Sequence, residues 1–395
     1  MALFLAAGAE ERHTASSRAV AGWNVVAGVL IDTASQPYTG NASFSWKSPA
    51  GSSPKSTYGS KCWWSFASVP WVRGNGTWYM LFQILVDNTS VTRSIGWYYN
   101  TGDSKYYLAL FSTGGTRLVT ATNGTLGGGT PIPFKLEFDD DAWTCWADMN
   151  LDGTWASEFT YTDTTSAPYT FQAHPAVSTD DTKATVWPFV DDVCAWDSDG
   201  NNWNSRIATM ADFPRISVAH YPTADNSASG LEWQDLDEVT PDHSQSAGET
   251  KAGYLATIED LKTTPQDYTA ETIQAVMVTH VAGASADPDT ISIYNVKENG
   301  TEYLDSAYER STVDRTKNVQ IGSESVTLWA TYAGYYPWTP EGNSWTETNF
   351  NACEFGISLI DGKSDQLTVQ VIYFGTAHEW SPPVASTFVP RVIMC

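Results

Sequence analysis

The sequence predicts an all-β protein built as two β-sandwich (jelly-roll-like) domains in tandem, with short terminal arms. Three observations predict it. Short runs of alternating or continuous apolar residues recur along nearly the whole chain, with the two-residue period of strands. Clusters of Gly, Asn, Asp and Pro separate them, as turns between short strands require. No helical run of credible length appears before residue 255.

The elements follow in order. Trp78-Tyr79-Met80-Leu81-Phe82-Gln83-Ile84-Leu85-Val86 is an apolar run between Gly74-Asn75-Gly76 and Asp87-Asn88, which fits a buried sandwich strand. Ser94–Tyr99 and Tyr106–Phe111 flank the turn Asn100-Thr101-Gly102-Asp103 and predict a hairpin. Leu118–Thr122 is a further strand, followed by Asn123-Gly124 and the glycines 127–129. Phe134–Phe138 and Trp143–Asp148 alternate and predict strands with one face in a core. Phe189–Trp196 is a strand with Asp191 and Asp192 at its middle, and two adjacent residues of a regular strand point to opposite faces. A carboxylate turned inward needs donors, a cation or water. Closure of the first sandwich and a ligand or metal site are both compatible with the acid pair. Leu255–Leu261 is read as a short helix or an irregular turn. Strands resume at Ile273–Val281, Ile291–Val296, Thr301–Leu304, Ser325–Tyr332, Glu354–Leu359 and Leu367–Phe374. The organisation expected is an N-terminal arm over 1–20, a first sandwich over 21–198, a linker over 199–212, a second sandwich over 213–381 and a C-terminal arm over 382–395. The N-terminal arm would either fray or pack on a neighbouring subunit.

Composition excludes some partners. With 45 acidic against 21 basic residues the net charge is -24, which disfavours nucleic acid and anionic membrane surfaces. Five widely spaced cysteines, Cys62, Cys145, Cys194, Cys353 and Cys395, make neither a disulfide framework nor a zinc site, so reduced, buried thiols are expected. Residues 1–9 lack the basic region of a signal peptide, and no apolar run approaches membrane-spanning length.

Asp148-Met149-Asn150-Leu151-Asp152-Gly153 has the spacing of a calcium loop, with Asp148, Asn150 and Asp152 as oxygen ligands. The twelfth position is Phe159, with Glu158 one place early, so it is no EF-hand, and an ordinary turn explains the same residues. Asp197-Ser198-Asp199-Gly200 is a second candidate of the same kind, and Asp139-Asp140-Asp141 reads as a solvated strand end. The aromatic candidates for a glycan contact or a subunit interface are Trp63, Trp64, Trp71, Trp196, Trp203, Tyr335, Tyr336, Trp338 and Trp345, with core filling as the third explanation. No nucleophile elbow, zinc-protease motif or phosphate-binding glycine loop occurs, and Glu232–Glu238 has the residue types of a glycosidase strand at the wrong spacing.

The Trp/Tyr-rich strands, the Glu137 strand and the Val190-Asp191-Asp192-Val193 strand resemble the concanavalin A-like, laminin-G-like jelly-roll superfamily. Over roughly residues 20 to 360 the order of landmarks resembles a family of bacteriophage virion proteins. The landmarks are Asp199-Gly200-Asn201-Asn202-Trp203, Phe213-Pro214-Arg215-Ile216, Tyr221-Pro222, Trp233, and Trp345-Thr346 leading to Asn351-Ala352-Cys353-Glu354-Phe355-Gly356. The strand runs are shorter than a long fibre needs, and there is no heptad or collagen-like stalk. The resemblance implies a virion component made in the host bacterial cytoplasm, a tail-tip, fibre or head appendage. The expected function is therefore non-enzymatic and structural, with other virion proteins and further copies of the chain as partners and host-surface polysaccharide as a candidate contact. No cofactor is expected, Ca2+ being the one candidate. A capsid-decorating cement protein and a carbohydrate-active enzyme on the same scaffold are the alternatives.

Overall fold

The computed structural model describes residues 3–7, 29–32, 43–46, 57–58, 61–68, 70, 78–86, 92–112, 115–126, 131–139, 142–163, 171–175, 189–197, 213–217, 256–258, 272–284, 292–298, 301–305, 328–336, 338–359 and 363–374. The first fourteen strands are β1 (Leu3–Ala7), β2 (Val29–Asp32), β3 (Ser43–Trp46), β4 (Thr57–Tyr58), β5 (Lys61–Ser68), β6 (Trp78–Val86), β7 (Thr92–Asn100), β8 (Lys105–Ser112), β9 (Arg117–Thr120), β10 (Ile132–Asp139), β11 (Ala142–Ala147), β12 (Ala156–Thr162), β13 (Phe171–Pro175) and β14 (Phe189–Asp197). They form two antiparallel sheets. One has the order β12-β11-β10-β5-β14-β3-β2 with β1 added on β14, and the other β4-β13-β6-β7-β8-β9.

The alternation read from the sequence is what packs the two together. Phe134, Leu136 and Phe138 of β10 and Trp143, Cys145 and Ala147 of β11 are buried, with the Phe138 and Trp143 rings edge to face at 4.5 Å. Facing them, Ile95 and Trp97 of β7 pair in register with Leu110 and Leu108 of β8, all buried. Trp97 Nε1 donates to Ser68 Oγ at 3.2 Å, a bond from one sheet to the other. Each such apolar side chain removed from water contributes about 1.5–3 kcal/mol.

The remaining elements are β15 (Pro214–Ile216), β16 (Ala256–Ile258), β17 (Thr272–Ala284), β18 (Ser292–Glu298), β19 (Thr301–Asp305), β20 (Leu328–Tyr336), the helix α1 (Glu347–Ala352), β21 (Glu354–Leu359) and β22 (Lys363–Phe374). Their sheets run β15-β22-β17-β20 and β16-β21-β18-β19. One core joins both. Val276 and Val278 of β17 and Leu367, Val369, Val371 and Tyr373 of β22 meet Val296 of β18 and Phe355 of β21, with Trp345 and Phe350 at one end. The protein is all-β, as the patterning predicts.

One expectation is corrected, and the structure adds three features to the sequence reading. The segment Leu255–Leu261 carries the strand β16 over Ala256–Ile258, not a helix, because its backbone pairs with β21. The helix α1 was not foreseen. It is a short stretch closed by a capping box in which Thr346 and Asn349 bond reciprocally, too short to show a period. Within the arm expected over 1–20, Leu3–Ala7 pairs with Val193–Trp196 in the chain's own sheet. Finally, β14 is interior to its sheet, flanked by β5 on one side and by β3 and then β1 on the other. The linker 199–212 and the arm 382–395 lie outside the described residues. Among the described residues no helix is long and apolar enough to cross a membrane.

Candidate functional site

The loop between β20 and α1 is built to hold one aromatic ring in water. Its ends are anchored in the core. Tyr336 and Trp345 are buried, and Trp345 Nε1 donates to the Tyr336 carbonyl at 2.8 Å. Between them the chain folds back on Thr339. Thr339 N donates to Asn343 O at 2.9 Å, Gly342 N to Thr339 O at 2.8 Å, and Asn343 N to Thr339 Oγ1 at 3.2 Å. Gly342 has φ +82, in the left-handed region that suits glycine. Glu341 N donates to the buried Glu298 carboxylate on β18 at 3.0 Å, which fastens the loop tip to the second sheet. Trp338 stands on this frame with 58% of its surface exposed. Glu341, Asn343 and Ser344 beside it are exposed as well. A flat ring rimmed by hydrogen-bonding groups can stack on the apolar face of a sugar and bond its hydroxyls. The underside is acidic. Burial, followed by the charges of Glu298, Glu341 and Glu354, pushes the Cys353 thiol up to about 12, so it is no nucleophile.

The other aromatic candidates fall elsewhere. Tyr336 and Trp345 belong to the core, correcting any binding role for their rings. Trp63 and Trp64 lie on β5 opposite Trp196 and Ala195 of β14 in register, and Tyr335 pairs with Met277. Trp71 and Trp203 lie outside the described residues. The Asn351–Gly356 motif is a helix-to-strand corner whose Cys353 and Phe355 fill the core.

The Asp148 turn closes on itself. Asp148 Oδ1 accepts from Asp152 N at 3.0 Å and Oδ2 from Gly153 N at 2.9 Å, while Asp152 Oδ1 accepts from Thr154 N at 2.9 Å. Burial holds the Asp148 carboxyl above the usual range. Asn150 and Asp152 are exposed. Asp139 ends β10 and Asp197 ends β14, and their acidic neighbours lie outside the described residues. Among the described residues no group of three or more His, Cys, Asp or Glu is placed to hold a metal ion. Cys145, Cys194 and Cys353 are free and buried.

Asp191 and Asp192 do not sit on opposite faces of a regular strand. The register of β14 on β5 slips between Asp191 and Cys194, and Asp192 takes φ 49. Asp192 N donates to Asp191 Oδ1 at 2.9 Å, and Asp192 Oδ1 accepts from Ile216 N of β15 at 2.9 Å. The acid pair makes a bulge and ties β14 to β15, where the rings of Trp155 and Phe213 also meet at 5.9 Å.

Several buried polar residues went unmarked in the sequence. Arg93 on β7 holds Asp163, just past β12, through Nε at 2.6 Å and Nη2 at 2.9 Å. Glu158 on β12 accepts from Asn123, and burial raises its carboxyl above the usual range. Lys135 is buried with Nζ 5.0 Å from the Trp146 ring and 5.2 Å from that of Trp155. Only their position inside apolar strands hinted at them.

No family model and no curated protein matches the chain. Among solved structures it is similar to a functionally unknown protein from Saccharomyces cerevisiae, at 11% identity and TM-score 0.28, over 44% of this chain and 88% of that one. It is similar to the exoplasmic/lumenal domain of VIP36 in its Ca2+/Man3GlcNAc-bound form, at 11% identity and TM-score 0.28, over 46% and 85%. It is also similar to domains LG4-5 of the mouse laminin alpha1 chain, at 9% identity and TM-score 0.25, over 90% and 84%. Likeness at this level carries no argument about function.

Proposed function

We propose that the chain is a non-enzymatic structural protein of a bacteriophage virion, a tail-tip, fibre or other appendage, and that it touches host-surface glycans through the β20–α1 loop. The observation that carries the glycan contact is Trp338, exposed on a loop pinned at both ends and at its tip. Leaving more than half of an indole in water on a rigid frame forgoes on the order of 1 kcal/mol of burial, which a partner stacked on the ring recovers. The virion assignment rests on the landmark order along the chain. The acidic surface keeps such a component dispersed until it assembles. Copies would associate about a rotational axis, and no cofactor takes part.

The test pairs a glycan array with assembly. The wild type binds one class of bacterial surface polysaccharide and is incorporated into particles. Trp338→Ala is incorporated and melts within about 0.5 kcal/mol of the wild type, as an exposed position should, yet loses at least about tenfold in affinity. Undiminished binding by Trp338→Ala removes the loop from the role. Reducing-sugar release from the bound polysaccharide would move the assignment to the enzyme.

A further inference from the structure

Residues 121–125 close one side of the first pair of sheets. β9 is the last strand of one sheet and β12 the last of the other. Thr122 N and Thr122 Oγ1 both donate to the Glu158 carbonyl at 2.9 Å. Asn123 N donates to Glu158 Oε2 at 2.8 Å, and Asn123 Nδ2 to Oε1 at 3.1 Å. One buried carboxylate thus grips both ends of a single asparagine. The next residue is a glycine, and the Tyr107 ring packs where a larger residue would put its Cβ. A Cβ at 124 would lie 2.5, 2.7 and 2.9 Å from three atoms of the Tyr107 ring. That ring is held in turn by the bond from Tyr107 OH to Asp103 Oδ2, 2.5 Å long. Hydrogen bonding uses the asparagine, the Tyr107 ring packs against the glycine, and together they make a chemically labile pair. Without a Cβ to obstruct it, the backbone nitrogen of glycine can approach the preceding carboxamide more readily than that of any other residue.

We infer that Asn123-Gly124 is a covalent modification site, a deamidation site that Glu158 keeps closed in the folded chain. In the reaction Gly124 N attacks Asn123 Cγ. The N–Cγ bond forms, the Cγ–Nδ2 bond breaks, and the Gly124 amide proton leaves with the nitrogen as ammonia. Water then opens the cyclic imide to aspartate or isoaspartate, with no oxidant or reductant involved. Attack requires the carboxamide to rotate, and rotation breaks its bond to Glu158. The product puts a carboxylate against the Glu158 carboxylate, so the conversion loosens the closure between β9 and β12. The site is a slow, irreversible clock on the integrity of the first pair of sheets.

The full chain is incubated at mildly alkaline pH, folded and in urea, and peptide mass spectrometry follows residue 123. The other Asn-Gly pairs of the sequence, at Asn75 and Asn299, are standards in the urea sample. Asn123 in the folded chain converts roughly tenfold or more slowly than in urea, because conversion waits on local opening. Folded Glu158→Ala and Glu158→Asp convert at close to the urea rate, and Asn123→Asp melts below the wild type at neutral pH. Equal folded and urea rates in the wild type overturn the proposal, whether or not either variant folds. So does a Glu158 variant that keeps the native near-ultraviolet circular dichroism and still converts as slowly as the wild type.

Discussion

Leu151 shows how a single residue can contradict its own turn. It has φ 57 and is 47% exposed, so an apolar, branched side chain sits in the left-handed region without burial in exchange. A left-handed non-glycine residue costs roughly 1–2 kcal/mol, and glycine gives back about 0.5–1 of that through chain entropy. Leu151→Gly should therefore raise stability by about 0.5–1 kcal/mol, read from the urea midpoint at constant slope. An unchanged or lower midpoint would place hidden packing at this side chain. The turn itself was legible, because Asp, Asn and Gly at that spacing have few other uses. The strain was not, since nothing in the word leucine marks a positive φ. Among the aromatics the same limit held. Trp338, Tyr336 and Trp345 look alike in sequence, and burial alone separates the ring offered to solvent from those in the core.

At the level of the strand, Asp192 decides how β14 runs. Its bulge comes where β14 changes partner from β3 to β1, and its carboxylate accepts from Ile216 N in the first strand of the next sheet. Asp192→Ala leaves the Ile216 N–H buried without that acceptor, which costs about 1–3 kcal/mol, and adds the left-handed penalty. Asp192→Asn keeps an acceptor oxygen and tolerates the backbone, so it should lose less than half as much in urea unfolding. Equal losses would show that the charge, not the geometry, matters. An acid pair inside an apolar run was visible as an anomaly. Its meaning required the register, because a bulge depends on the partner strands. The helix α1 was missed for a related reason, as its length comes from the corner it turns between β20 and β21.

Across the whole molecule, paired sheets are held by polar bridges as well as by apolar packing. Arg93 and Asp163 are both buried, so Asp163→Ala removes the carboxylate that takes two of the guanidinium's bonds and should cost about 3–5 kcal/mol, measured by urea unfolding. A loss below about 1 kcal/mol would mean that Arg93 is satisfied without Asp163. The acidic balance sets the response to pH. Asp148 and Glu158 are raised by burial in the folded state. Their contribution is fully present below the unfolded carboxyl values and is lost as pH rises through the folded ones. Growing repulsion among 45 acidic residues acts in the same direction. The melting temperature should fall from about pH 5 to about pH 8 at low salt and recover in part when salt is added. A rise over that interval would show ion pairs outweighing both effects.

The sequence by itself determined that this is an all-β protein, where most strands lie and where the chain turns. Those features follow from a two-residue apolar period and from the few residues that tolerate turns. Only the tertiary structure decided which strands neighbour one another, that β14 is interior, that β1 completes its sheet, and which polar residues join the layers. Sheet order is set by contacts between residues far apart in the chain. A local pattern records that a face is apolar and says nothing of what covers it.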